Sequence, residues 1–137
     1  MRKNFLRLAA LLAMFAVILG AFGAHALRES LSPESLAVFN TGVRYQFYHA
    51  LALFGLGILM FYRKTQTMIY AGWCFVGGIV LFSGSLYLLS TREILGFDAP
   101  WLGPITPLGG LLFIIGWAML FTSTYQDNQR GKGKSKN

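Results

Sequence analysis

The sequence predicts an all-α fold: an integral membrane bundle of four helices, with both chain ends in the cytoplasm and a short amphipathic helix on the outer surface. Four stretches contain no Asp, Glu, Lys or Arg, namely residues 8–27, 45–62, 65–91 and 99–126. Each approaches or exceeds the roughly 20 residues that a helix needs to cross a bilayer. Charged residues make up 12% of the chain, about half of the roughly 25% found in soluble domains. This composition excludes an ordinary soluble enzyme, a DNA-binding domain and a disordered protein.

The spans are predicted to be helices at residues 8–26, 45–61, 68–89 and 105–122, because a backbone in lipid has to satisfy its own hydrogen bonds. Lipid-facing barrel strands would alternate apolar and polar residues, and the first span does not. Residues 1–126 are therefore interpreted as a single transmembrane domain. Residues 127–137 are rich in Lys and lack apolar side chains, so we expect a basic, disordered cytoplasmic tail.

The distribution of Lys and Arg sets the predicted orientation. Only Arg28, Arg44 and Arg92 fall on one side of the spans. The nine on the opposite side are Arg2, Lys3, Arg7, Arg63, Lys64, Arg130, Lys132, Lys134 and Lys136. The positive-inside rule then places both termini in the cytoplasm, as in a multi-pass protein of the bacterial inner (plasma) membrane. Cleavage after Ala24-His25-Ala26, a small-x-small site, is the alternative for residues 1–26, although the apolar stretch is long for a signal peptide.

The connection between the first two spans carries a helix signal. Ser32-Pro33-Glu34 is typical of an N-cap, a first-turn proline and an acidic residue near the positive end of the helix dipole. Apolar residues then recur at spacings of three and four, which predicts a short amphipathic helix at residues 33–40 lying on the outer surface. Asn40-Thr41-Gly42 would form the bend that follows. The alternative is a second helix that begins at Pro33 and protrudes from the bilayer.

Polar residues of the spans collect towards the outer end of the predicted bundle. These are His25, Arg44, Tyr45, Tyr48, His49, Ser83, Ser85, Tyr87 and Thr106. Polar groups in a span are costly, so their placement is informative. One interpretation is structural, with these side chains bonded to loops, carbonyls and neighbouring helices. The other is a binding site for a partner, a lipid or a small ligand.

Arg44 is the most costly member of this set. We expect its guanidinium to pair with one carboxylate, such as Glu34, Glu93 or Asp98, and with loop carbonyls, because five donors in a planar fork need several acceptors.

Candidate chemistry is sparse. No span contains Asp or Glu, no cluster of His, Cys and Asp has metal-ligand spacing, and Cys74 is the only cysteine. Ser85 and His49 lack the acid and the strand-to-helix elbow of a hydrolase. We therefore predict no enzymatic activity, no metal and no cofactor. Haem held between His25 and His49 and a small oligomeric channel are the named alternatives.

The order of four sequence blocks resembles a known family. The blocks are Gly20–Leu27, Phe39–Leu53, Leu81–Tyr87, and Thr106–Gly110 with Gly116-Trp117. Together they are similar to the YwdK-like, or transmembrane protein 256, family of small membrane proteins. This resemblance implies a four-helix integral membrane protein of bacterial inner membranes, with relatives in eukaryotes and no assigned reaction. The basic tail lies outside it.

The predicted function is accordingly that of a non-enzymatic, multi-pass membrane protein. It would act as an accessory to, or associate with, a larger membrane complex, and its outer polar cluster would bind a partner, lipid or small ligand. Its expected partners are the lipid bilayer, other membrane subunits or a second copy of itself, and not nucleic acid.

The orientation can be tested with a reporter fused after Asn137. Nine of twelve basic residues on one side predict a cytoplasmic C-terminus. A cytoplasm-dependent reporter such as a fluorescent protein should therefore be active. This orientation would be contradicted if a second reporter, one that is active only in the periplasm, were active when fused after Asn137.

Overall fold

Four long helices form the structure. The computed structural model describes the backbone of residues 1–134 and the side chains of residues 1–125. The helices are α1 (Arg2–Leu27), α2 (Pro33–Tyr62), α3 (Gln66–Leu95) and α4 (Leu102–Lys134). All four are long and apolar enough to cross a membrane, and residues 1–134 contain no strand. The predicted all-α, four-helix membrane architecture is confirmed.

Each of the three connections ends or begins with a recognisable cap. Ser32 accepts a hydrogen bond from the backbone N–H of Ser35 at 3.2 Å, and Pro33 takes the first helical position of α2. Thr65 caps α3 in the same way, accepting from the N–H of Met68 at 3.2 Å. Gly96 ends α3 with φ of 67°, a left-handed conformation that glycine adopts at little cost.

The separate amphipathic helix predicted at residues 33–40 is wrong. α2 is continuous from Pro33 to Tyr62, so Asn40-Thr41-Gly42 lies within a helix and not at a bend. Gly42 serves packing instead, because a Cβ there would stand 2.9 Å from the ring of Tyr87 on α3. The alternative in which the second helix begins at Pro33 is the one observed.

The helices also extend beyond the predicted spans. α1 begins at Arg2, whose guanidinium lies 4.7 Å from the centre of the Phe61 ring in a cation–π contact. α4 continues to Lys134, through most of the segment predicted to be disordered, and residues 135–137 lie outside the described part. No proline interrupts the chain after Pro107.

Two π-helical turns interrupt the regular helices. One covers Gly23–Leu27 at the C-terminal end of α1, and the other covers Ile79–Ser83 in the middle of α3. Turns of this type are rare and often coincide with functional positions. The α3 turn is where this helix contacts α2 on one side and α4 on the other.

The helices pack as antiparallel neighbours, α1 along α2, α2 along α3 and α3 along α4. A single stripe of α2 faces this interior. Ala50 and Gly57 are buried beside it. The buried residues along the centre of the stripe are Phe39, Gly42, Gln46, His49, Leu53, Leu56 and Met60. Their spacing alternates between three and four residues, the period of a helix packed in a left-handed bundle.

Phenylalanines of one helix fill glycine gaps on the other along the α3–α4 contact. We call this contact the α3–α4 seam. Four pairs of residues follow each other along it: Phe75 with Gly116, Gly78 with Phe113, Phe82 with Gly109, and Ser85 with Thr106. Between membrane helices lipid removes much of the hydrophobic driving force, so close van der Waals packing at small residues takes its place. The glycines therefore set how closely α3 and α4 approach.

The α3–α4 seam predicts opposite outcomes for two adjacent glycines. A Cβ at Gly109 would collide with the backbone of Phe82, whereas at Gly110 it would meet only the Phe82 ring, at 3.7 Å. Gly109→Ala should therefore lower the free energy of unfolding by about 1–3 kcal/mol through overpacking. Gly110→Ala should be neutral or slightly stabilising. Thermal unfolding of the detergent-solubilised variants measures both, and equal midpoints would contradict the close approach.

Candidate functional site

His49 lies in the bundle interior, close to the midpoint of α2. Its side chain is only 6% exposed. Its Nδ1 lies 2.8 Å from the backbone carbonyl of Tyr45, and its Nε2 lies 3.1 Å from the indole Nε1 of Trp117 on α4. The histidine thus connects the second helix to the fourth.

These two contacts define the protonation of the imidazole. A tryptophan N–H can only donate and a backbone carbonyl can only accept. Nε2 is therefore the acceptor from Trp117, and Nδ1 carries the proton that it donates to Tyr45. This is the neutral Nδ1–H tautomer. A second proton on Nε2 would point at the indole N–H, and two donors cannot form a hydrogen bond with each other.

Aromatic rings surround the imidazole. The Phe113 ring is stacked on His49 with centroids 3.5 Å apart and planes at 8°. Phe75 lies at 5.7 Å, and the Trp117 ring meets Phe75 edge-on at 5.1 Å. The Tyr45 ring lies 6.0 Å from the imidazole and 4.7 Å from Phe82. The arrangement is dense and almost free of polar atoms other than the two histidine contacts.

A groove between α2 and α4 opens over these rings. We call it the α2–α4 groove; its volume is about 640 Å³. The lining residues are Tyr45, His49, Phe82, Pro107, Gly110, Leu111, Phe113, Ile114 and Trp117. Tyr45 and Trp117 form its rim, with 40% and 48% of their surfaces exposed. The Tyr45 hydroxyl makes no hydrogen bond within residues 1–125.

A second polar network joins the first three helices. The Tyr87 hydroxyl of α3 donates to Gln46 Oε1 at 2.7 Å, and Gln46 Nε2 donates to the backbone carbonyl of Leu12 on α1 at 2.9 Å. Gln46 is 5% exposed, so both halves of its amide are satisfied away from lipid. This network fixes the relative register of three helices.

Short hydroxyl contacts complete the interior. Ser83 donates to the backbone carbonyl of Gly42 at 2.7 Å, at the end of the π-helical turn of α3. Ser85 donates its one hydroxyl proton to the Phe82 carbonyl at 2.9 Å. Thr106 must then be the donor in the 2.6 Å contact between the Thr106 and Ser85 hydroxyls. These serines and the threonine act in helix packing.

Three of the predicted cluster residues lie elsewhere. His25, Arg44 and Tyr48 are exposed. Arg44 makes no hydrogen bond or ion pair with residues 1–125, so the network predicted around it is not formed. The reason is geometric: Arg44 and Tyr48 lie off the stripe of α2 that faces the other helices, and a long side chain there extends outward.

His25 and His49 are far apart along the bundle. Gly23, two residues before His25 on α1, packs against Phe39 of α2. His49 follows Phe39 by ten residues, a distance of about 15 Å along a helix. Two imidazoles so separated in depth do not fit one iron, and His49 Nε2 is already engaged by Trp117.

Three residues of these interhelical contacts were not predicted from the sequence: Gln46, Phe113 and Trp117. Gln46 belongs to the three-four stripe with Phe39, Gly42 and His49, a periodicity that would have placed it inside. Phe113 and Trp117 are spaced by four residues on α4 and so share one face. Nothing in the sequence alone shows that this face of α4 contacts His49.

The apolar helices and the polar contacts between them define a multi-pass membrane protein with a bundle interior joined by side-chain hydrogen bonds. Residues 19–110 match the family described as protein of unknown function (DUF423), and the chain belongs to this family. The resemblance found from the sequence blocks is confirmed.

Curated relatives cover nearly the whole chain. The UPF0382 membrane protein YwdK of Bacillus subtilis is 48% identical over 119 residues, which is 86% of this chain and 93% of that protein. UPF0382 membrane proteins of Staphylococcus aureus and Staphylococcus saprophyticus are 45% and 44% identical over 124 residues, covering 90% of this chain and 97% and 98% of theirs. No solved structure matches the chain.

The contact between His49 and Trp117 predicts unequal effects for two tryptophans. Trp117→Phe removes the only donor to a buried nitrogen, and should lower the free energy of unfolding by about 0.5–2 kcal/mol. Trp101→Phe is the control, because Trp101 is 62% exposed at the start of α4. Thermal unfolding in a mild detergent measures both. A Trp101 variant that loses as much stability as the Trp117 variant would contradict the role of this hydrogen bond.

Proposed function

We propose that this protein is a non-enzymatic membrane protein that binds an apolar, flat molecule dissolved in the bilayer. The α2–α4 groove carries this proposal. Its volume of about 640 Å³ falls within the roughly 300–1,000 Å³ of small-molecule sites.

The chemistry of the α2–α4 groove favours a planar ligand. Its walls combine the rings of Tyr45, Phe82 and Phe113 with the indole of Trp117. Aromatic walls of this kind bind flat molecules by offset stacking and edge contacts. The Tyr45 hydroxyl is the one polar group at the rim without a partner in the described part of the chain, so it can donate to a ring oxygen of the ligand.

The depth of the α2–α4 groove favours entry from lipid. His49 lies near the midpoint of α2, and Phe113 and Trp117 meet it at the same level. A groove at this depth on the side of a membrane bundle faces hydrocarbon and not water. A lipid-soluble molecule therefore reaches it by lateral diffusion in the bilayer.

The state of His49 supports binding over catalysis. A general base needs a free nitrogen within reach of the proton that it removes. Both imidazole nitrogens are hydrogen-bonded inside the protein, and the uncharged stretches 8–27, 45–62, 65–91 and 99–126 contain no Asp or Glu. The histidine therefore acts as a positioning residue that holds α2 and α4 at the width of the groove.

We place this function in the cell's inner (plasma) membrane, with the more basic side of the spans facing the cytoplasm. Little of the chain extends beyond its helices. An accessory role beside other membrane subunits, with the groove holding a lipid-soluble molecule for a partner, agrees with this architecture. The bilayer itself is the first partner.

Trp117 provides a direct reporter of the α2–α4 groove. In a Trp73→Phe, Trp101→Phe background, Trp117 is the only indole, and menadione serves as a flat apolar quencher. Titration of the protein in lipid nanodiscs should give quenching that saturates. Gly110→Leu, which places a side chain in the groove, should weaken the apparent affinity about tenfold, equivalent to about 1.4 kcal/mol.

The matched control is Gly55→Leu, since a Cβ at Gly55 meets nothing within 4 Å and Gly55 is outside the groove lining. It should leave the titration unchanged. Quenching that rises in proportion to the menadione in the bilayer, and equally in all three proteins, would contradict a binding groove.

A further inference from the structure

Arg44 lies on the lateral face of the bundle, well inside its outer end. Its neighbour Val43 packs against Gly20 of α1, where a Cβ would stand 3.3 Å from the valine methyl. Gly20 precedes the end of α1 at Leu27 by seven residues, which is about 10 Å of helix. An exposed guanidinium without a partner in residues 1–125 is thus held at the depth of the spans.

The positive charge of Arg44 at this depth needs a neighbouring anion. A cation among hydrocarbon is costly unless it pairs or extends to the headgroup layer. The Arg44 side chain is long enough to reach towards that layer, and the anions found there are lipid phosphates. A guanidinium binds phosphate through two parallel hydrogen bonds, a geometry that an ammonium does not reproduce.

An apolar cleft runs directly beside this charge. It lies between α1 and α2, has a volume of about 440 Å³, and includes Val17, Ala21, Phe47 and Tyr48 with Arg44 at its edge. Arg44 and the Tyr48 hydroxyl are its only polar side-chain groups. The cleft is distinct from the α2–α4 groove and shares no residue with it.

We propose that this α1–α2 cleft binds an anionic phospholipid, with the phosphate on Arg44 and one acyl chain along Val17, Ala21 and Phe47. The guanidinium of Arg44 beside these apolar side chains matches a phospholipid, whose charged headgroup is joined to an acyl chain. A second copy of this chain fits less well, because two-fold symmetry would bring an unpaired Arg44 close to its own counterpart. This proposal is independent of the function proposed for the α2–α4 groove.

Native mass spectrometry of the full chain released from nanodiscs tests the site. The nanodiscs contain equal amounts of phosphatidylglycerol and phosphatidylcholine, and the readout is the ratio of the two lipids that remain bound. The wild-type protein should retain phosphatidylglycerol preferentially. Arg44→Gln should reduce that preference about fivefold, as expected for loss of one basic residue at the lipid surface, and Arg44→Lys should reduce it less.

Two further variants separate specific binding from general attraction. Arg28→Gln removes an exposed arginine outside the cleft and should leave the preference unchanged. Ala21→Phe keeps every charge but fills the apolar part of the cleft, and should lower the amount of lipid that remains bound. Its helix content, measured by circular dichroism, should be unchanged. This variant also tests the site if Arg44→Gln does not fold.

Three outcomes would overturn the proposal. The first is an unchanged lipid ratio in Arg44→Gln and Ala21→Phe. The second is an equal loss in Arg28→Gln, which would mean non-specific attraction to the protein surface. The third is a dimer that Ala21→Phe dissociates without change in the bound lipids, which would assign the cleft to a second copy of the chain.

Discussion

Gln46 and His49 are polar side chains near the middle of α2, and hydrocarbon offers them no hydrogen-bond partners. Each is satisfied only because other helices supply a group at the correct height: Leu12 and Tyr87 for the glutamine, Trp117 for the histidine. Together the two residues tie α2 to α1, α3 and α4. A shift of any of these helices by one turn would leave a buried polar atom unpaired, at a cost that lipid cannot offset.

The α3–α4 seam makes these contacts possible. Phe75, Phe82 and Phe113 enter spaces left by glycines of the facing helix, which brings α4 close enough for Trp117 to reach the imidazole of α2. The same rings then form the walls of the α2–α4 groove. Packing and the proposed site therefore share one origin, because small residues on one helix allow large aromatic residues of the next to converge on His49.

The membrane architecture was predictable because uncharged length and basic flanks follow directly from the cost of placing charge in lipid. Gly42 shows where local signals failed: glycine after Asn and Thr indicates a bend, yet here it accommodates the Tyr87 ring. The polar contacts inside the bundle were predicted only in part. Polarity drew attention to Arg44 and Tyr48, which face outward, while the burial of Gln46 and the convergence of Phe113 and Trp117 on His49 depend on contacts between helices that one sequence does not encode locally.

The contact between α2 and α4 depends on His49 as a neutral, doubly hydrogen-bonded link. Nitrogen-15 NMR of histidine-labelled protein in lipid nanodiscs at neutral pH measures this directly, with His25→Gln used to assign the signals. We expect a protonated Nδ1 and an unprotonated Nε2 that is correlated with the Trp117 indole proton. This correlation should be absent in Trp117→Phe. A proton on Nε2, alone or together with Nδ1, would contradict it.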